Sequence, residues 1–234
     1  MNALITGASK GLGLGLCTVL ASRGDGVFAA CRKVTPELAA LGVRVIEGVE
    51  VTSDAVIQTL REGIGKGAID LVVCNAGINI SFNCDGIETL DIAAVNEEYQ
   101  VNALGTLRTV QAALPNLRQG SKIIFVSTTG NVLGRNPARG GSYGYRMSKA
   151  GINTFGFLLA KELQPRGIAV RMISPGAVNT DLLRAIYATG RVSARAPEES
   201  PDPVSAARVM LSKIDELTID STGSWVDETG KSWA

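Results

Sequence analysis

A single-domain, doubly wound (Rossmann) parallel α/β sheet of about seven strands, with helices on both faces, is the fold this chain's pattern predicts. Short apolar runs rich in β-branched residues alternate with longer helical patterns, and the first run ends in a glycine-rich turn that opens straight into a helix. A chain of 234 residues with 45% hydrophobic content can also bury a core of that size as one unit. Residues 1–234 therefore read as one domain.

Taken in order, residues 3–6, 27–31, 43–46, 69–74, 122–126 and 169–173 read as buried strands, with a last strand near 223–226 where Trp225 and Val226 follow a glycine. Residues 12–21, 54–64, 95–114, 145–163 and 204–217 read as helices joining them in right-handed crossovers. The stretch 182–203 holds Pro197, Pro201, Pro203 and several arginines without clear periodicity. It follows a Pro-Gly turn at a strand end, so it reads either as a substrate cover or as an exposed connection.

Composition narrows the function classes. The 23 basic and 22 acidic residues nearly cancel without a run of one sign, which gives no electrostatic footprint for nucleic acid or an anionic membrane. Cys17, Cys31, Cys74 and Cys84 form no C-x-x-C pair. With no histidine in the chain, the usual zinc constellations cannot be assembled and no metal site is expected. The cysteines read as small core residues in a reducing compartment, and the N-terminus runs directly into the first strand, so a cytoplasmic protein is expected.

The first turn, Thr6-Gly7-Ala8-Ser9-Lys10-Gly11-Leu12-Gly13, sits between strand and helix, where glycines let the backbone approach a pyrophosphate and the helix N-terminus offers free N–H groups. A dinucleotide cofactor follows. Strand two ends in Cys31-Arg32-Lys33, where an NAD site usually carries an acidic residue; a carboxylate would repel a 2′-phosphate, whereas the Arg32 guanidinium can grip it. Lys10 adds a second charge from within the turn. Together they favour NADP(H).

Tyr145 and Lys149 lie four residues apart on a helical pattern, hence on one face, in a chain without the side chain most often used for proton transfer near neutral pH. An ammonium beside a phenol is expected to lower its pKa towards the working range.

With these motifs in order, the chain resembles the short-chain dehydrogenase/reductase family almost from end to end. The likeness is carried by the turn Thr6 to Gly13, Asn75-Ala76-Gly77, Asn102, Ser127-Thr128-Thr129-Gly130, the Tyr145-x-x-x-Lys149 pair and Pro175-Gly176-Ala177-Val178-Asn179-Thr180. The run from Gly140 to Ala150 and the ending from Thr222 to Trp233 are most similar to the sniffer-type carbonyl reductase and C-factor group. Ser127 and Tyr145 stand eighteen positions apart, longer than in most of the family, with residues 135–140 expected to loop out.

The resemblance implies an NADP-dependent oxidoreductase acting on a small aldehyde or ketone. It implies that Ser127 hydrogen-bonds the carbonyl oxygen, Tyr145 is the general acid/base, Lys149 also binds the nicotinamide ribose, and Asn102 holds a water that relays protons. Gly7, Ser9, Gly11, Leu12 and Gly13 would shape the phosphate turn, while Ala76 and Gly77 would line the adenosine side. For Asn75, turn support and direct contact are both open. Glu50-Val51 stands where Asp-Val often meets the adenine, and Pro175, Gly176, Val178 and Thr180 would face the nicotinamide. Relatives imply a homodimer or homotetramer through the helices at 95–114 and 145–163. Ile80, Phe82, Leu133, Leu183, Ile186 and Tyr187 suggest an apolar substrate pocket, and a cofactor-binding signalling or regulatory protein of the C-factor type is the alternative reading.

Overall fold

In the computed structural model, which describes residues 1–132, 141–190 and 195–233, seven strands form one parallel sheet in the order β3-β2-β1-β4-β5-β6-β7. The strands are β1 (Asn2–Thr6), β2 (Gly26–Ala30), β3 (Arg44–Ile46), β4 (Ile69–Cys74), β5 (Leu117–Val126), β6 (Ala169–Ser174) and β7 (Trp225–Asp227). The strand order reverses between β1 and β4, which opens a crevice at their carboxyl ends. The proposed loop-out at 135–140 and the pocket residue Leu133 lie outside the described residues.

Two apolar layers hold the sheet. On one face, α1 (Gly11–Ser22) and α8 (Pro203–Asp215) place Leu16, Leu20, Met210 and Ile214 over Val73 and Ile124. On the other, α3 (Ala55–Ile64) and α6 (Tyr143–Leu163) place Leu60, Ile64, Ile152 and Leu163 over Val72, Ile123 and Phe125. The four cysteines are all buried and unpaired, as small core residues should be.

β5 begins at Leu117, five residues before the pattern put it, and the helices differ from the pattern as well. The single helix expected over 95–114 is built as α4 (Ile92–Tyr99), a π-turn (Gln100–Leu104) and α5 (Gly105–Ala113). The widened turn coincides with tertiary constraints: Asn102 is pinned across the neighbouring loop, and Gly105 lies so near Val51 that a Cβ there would meet Val51 Cβ at 2.8 Å. The stretch expected to be irregular opens with α7 (Asp181–Tyr187), after the short α2 (Pro36–Ala39) the second helix too brief to show a period. Thr180 caps α7 by accepting from Leu183 N at 3.4 Å, and Asp181 adds negative charge to its first turn.

Phe125 is fully buried under α6 and stacks on Phe155 with ring centroids 5.5 Å apart. Phe125→Ala should therefore cost about 3–5 kcal/mol of unfolding free energy, measured by chemical denaturation, because the cavity lies beneath a helix that cannot collapse inward.

Candidate active site

The glycine turn is shaped as a cradle. Gly7 and Gly11 adopt φ of 66° and 56°, conformations that favour glycine, and a Cβ on Gly13 would lie 2.2 Å from Gly7 O. Helix α1 is preceded by Lys10 as its N-cap residue, with no side-chain cap and no acidic residue in its first turn, so no side chain of the cap competes with a phosphate for its first N–H groups. These residues fit a dinucleotide pyrophosphate. Asn75 supports the turn rather than projecting from it: its Nδ2 donates to Thr6 O at 3.0 Å and Gly7 O at 3.3 Å. Thr6 Oγ1 in turn accepts the N–H groups of Asn75 and Ala76, at 3.1 and 3.2 Å. Leu12 faces the core, and Ser9 O accepts from Thr35 Oγ1 at 2.9 Å, which ties the turn to the start of α2.

The two cations expected at a 2′-phosphate have different partners. Arg32, beyond β2, is 75% exposed and only 3.8 Å from Glu50 Oε2, a loose pair in water. Lys10 instead reaches across to Asp181 Oδ2 at 3.2 Å, linking the turn to α7. Thr180 lies on the same side, with its methyl 3.2 Å from where a Gly11 Cβ would be and its hydroxyl donating to Val178 O at 3.2 Å. Pro175 and Gly176 lead out of β6, and Gly176 has a φ of 74° that fits beside Glu228. Glu50 binds Thr52 locally, and Val51 is buried against Gly105.

Tyr145 and Lys149 share one face of α6 at the carboxyl edge of β4 and β5. Lys149 is 3% exposed; its Nζ donates to Val126 O at 2.7 Å and stands 5.8 Å from the centre of the Tyr145 ring. Burial lowers the ammonium from its ordinary value to about 8, opposed by the neighbouring Cys74. The expected lowering of the phenol does not occur. Although some of the residue's area is exposed, desolvation pushes Tyr145 up to about 12, the nearby Glu98 carboxylate raises it further, and a hydrogen bond with Thr128 opposes both. The lysine is engaged with a backbone carbonyl, so its charge does not outweigh the burial of the ring. Without ligand, the phenol is a neutral proton donor.

Asn102 has a structural role that the motif did not reveal. Its Oδ1 accepts from Ile78 N at 2.8 Å, and its Nδ2 donates to Ile78 O at 2.8 Å and Ser148 Oγ at 3.0 Å. The amide thus clamps the loop after Gly77 to helix α6. Ser127 also differs from expectation: it is 2% exposed and donates its hydroxyl to Asn153 Oδ1 at 2.6 Å, not towards Tyr145.

Three residues escaped sequence reading. Asn153 stands one helical step beyond Lys149, a spacing that a scan of the Tyr145 face would have found. Thr128 was hidden by its neighbour Ser127. Glu98 looked like a solvated helix charge, yet it is fully buried and accepts from Ser81 N at 2.8 Å and Ser81 Oγ at 2.7 Å. A Cβ on Gly144, two residues into α6, would clash with Glu98 Oε2, so only glycine fits where this carboxylate meets the start of the helix.

A short chain dehydrogenase family model matches residues 1–190. The chain belongs to that family of oxidoreductases. It is 33% identical, over 98% of its length and 97% of the relative's, to a 1-hydroxy-2-glutathionyl-2-methyl-3-butene dehydrogenase of Rhodococcus sp. (strain AD45). It is 34% identical to the C-signal protein of Myxococcus xanthus, over 74% of this chain and 97% of that one. The NADPH-bound carbonyl reductase from chicken fatty liver shares the fold, with a TM-score of 0.83, 23% identity and coverage of 100% and 98% of the two chains. Among the described residues, no helix is long and apolar enough to cross a membrane.

The buried ammonium has a consequence for stability. The folded pKa of Lys149, about 8, lies below its ordinary value of 10.5, so between these limits the unfolded chain holds more protons and folding gains stability as pH rises. Relative to Lys149→Met, the parent should therefore gain on the order of 3 kcal/mol from pH 7 to 10.5. Denaturant midpoints of both proteins across that range check the slope, and the difference between them removes the shared cysteine and tyrosine titrations.

Proposed function

We propose that this protein is an NADP-dependent oxidoreductase that interconverts the carbonyl of a small aldehyde or ketone and the corresponding alcohol, with Tyr145 as general acid/base. The observation that carries this reading is the neutral Tyr145 phenol held beside the buried Lys149 ammonium, at the strand edge that also carries the glycine cradle. The Rhodococcus relative's name describes a dehydrogenase acting on a hydroxy compound, in keeping with chemistry at an alcohol carbon.

A bound reduced nicotinamide would supply the hydride for the carbonyl carbon, with charge growing on the carbonyl oxygen. The protein must then meet that oxygen's charge. Tyr145 transfers its phenolic proton to it, leaving a phenolate that the Lys149 ammonium stabilises. In the reverse direction the phenolate takes the alcohol proton. The first N–H groups of α1 and the Gly7–Gly13 cradle would hold the pyrophosphate.

Arg32 supports the choice of NADP(H) because it is exposed, loosely paired and positioned after β2, where the adenosine ribose of a doubly wound sheet binds. Lys10, held by Asp181, acts on the pyrophosphate side in this reading rather than as the second 2′-phosphate contact. The likeness to C-signal supports a second reading, a cofactor-binding regulatory protein, and the intact Tyr145–Lys149 pair favours the enzyme over it.

A panel of aldehydes and ketones assayed with NADPH and NADH side by side should show turnover with NADPH; tight NADPH binding without turnover of any carbonyl would favour the regulatory reading. Tyr145→Phe should lower kcat about 10²- to 10⁴-fold while cofactor binding, followed by fluorescence, is retained. A parent-like rate in that variant would remove the proposed chemistry. Arg32→Asp should shift the NADPH-to-NADH ratio of kcat/KM towards NADH by roughly 10- to 100-fold, the worth of a lost charge-assisted contact.

A further inference from the structure

We infer that Thr128, and not Ser127, supplies the hydroxyl that hydrogen-bonds the reacting oxygen beside Tyr145, while Ser127 is a buried brace held by Asn153. This rests on the carbonyl–alcohol reading above and changes which residue serves it.

Direction of the chain separates the two hydroxyls. Ser127 is still in strand register, its N–H donating to Ile173 O at 2.8 Å, and it shares parity with Ile123 and Phe125, whose side chains pack under the middle of α6 with Ile152. Ser127 is directed into the layer under the middle of α6, where Asn153 lies, whereas Thr128, past the last residue of β5, points differently.

Proton accounting gives the same assignment. A hydroxyl has one proton to donate, and that of the buried Ser127 is directed to Asn153 Oδ1 at 2.6 Å. Thr128 lies past the strand end, is only half-buried, and its Oγ1 accepts from Gly130 N at 3.1 Å, which leaves its own proton free to donate. That hydroxyl is the hydrogen-bonding neighbour of the Tyr145 phenol, and the bond eases ionisation, as one donated to the phenol oxygen does. An oxygen within reach of the Tyr145 proton is therefore within reach of Thr128 also. The other charged or titratable groups around the phenol are Glu98, which opposes its ionisation, Lys149 over the ring, and Cys74 beside Lys149.

The test compares Thr128→Val, which keeps the shape and removes the hydroxyl, with Thr128→Ser and Ser127→Ala, using the best carbonyl from the panel. Thr128→Val should lower kcat about 100-fold, in the range for losing one donor to the developing oxyanion; Thr128→Ser, which restores the hydroxyl, should recover most of that loss, and Ser127→Ala should lose far less than Thr128→Val. Ser127→Cys serves as a second, volume-keeping variant, and circular dichroism reports the fold of each.

A second readout needs neither substrate nor cofactor. Alkaline titration of tyrosinate absorbance, taken as the difference between each protein and its Tyr145→Phe counterpart, should show the Tyr145 midpoint rising in Thr128→Val and staying in place in Ser127→Ala. A large rate loss in Ser127→Ala with a parent-like Thr128→Val, or a midpoint that follows Ser127, overturns the assignment. If Tyr145→Phe is inactive and Thr128→Val is parent-like, this assignment alone fails; if Tyr145→Phe keeps the parent rate, the carbonyl chemistry itself fails.

Discussion

Burial of the Lys149 ammonium is the constraint on which the rest of the site depends. A charge with 3% exposure is costly unless a partner holds it, and here that partner is the Val126 carbonyl at the last residue of β5. The bond fixes α6 against the carboxyl edge of the sheet. Beside it, desolvation of the ring holds the Tyr145 phenol in its protonated form.

Around that contact, amide and hydroxyl side chains take up the backbone groups that parallel strands leave open at their ends. Asn75 and Thr6 close the turn between β1 and β4, Asn102 clamps both polar groups of Ile78, and the Asn153–Ser127 pair closes the gap between β5 and α6. Glu98 does the same for the loop around Ser81, directly below the start of α6. These residues act on the chemistry through geometry, because each removes a degree of freedom from the strand ends that carry Tyr145, Lys149 and the glycine cradle.

The cofactor side shows the same economy. The ion pair of Lys10 with Asp181 and the contact of Thr180 with Gly11 bring the ends of β1 and β6 together across the crevice, so that the phosphate turn and the segment after Pro175 form one wall. Arg32 stays apart from this wall, exposed and loosely paired beyond β2.

The sequence by itself determined the architecture. Apolar runs of strand length, helices between them and a glycine turn after the first run admit one winding, and strands β1, β4 and β6 fall within a residue of where the pattern put them. The pairing of Tyr145 with Lys149 was equally legible, because helical spacing alone puts them on one face. Tertiary structure decided what spacing cannot express. The π-turn around Asn102 arises from bonds to Ile78 and Ser148, and α7 from a cap and two turns too short to show a period. Whether the phenol is lowered or raised depended on how much solvent the fold removes around it, and the partner of the Ser127 hydroxyl on where α6 sets Asn153 against the end of β5. Chain order supplies candidates for a site; desolvation and direction exist only in three dimensions.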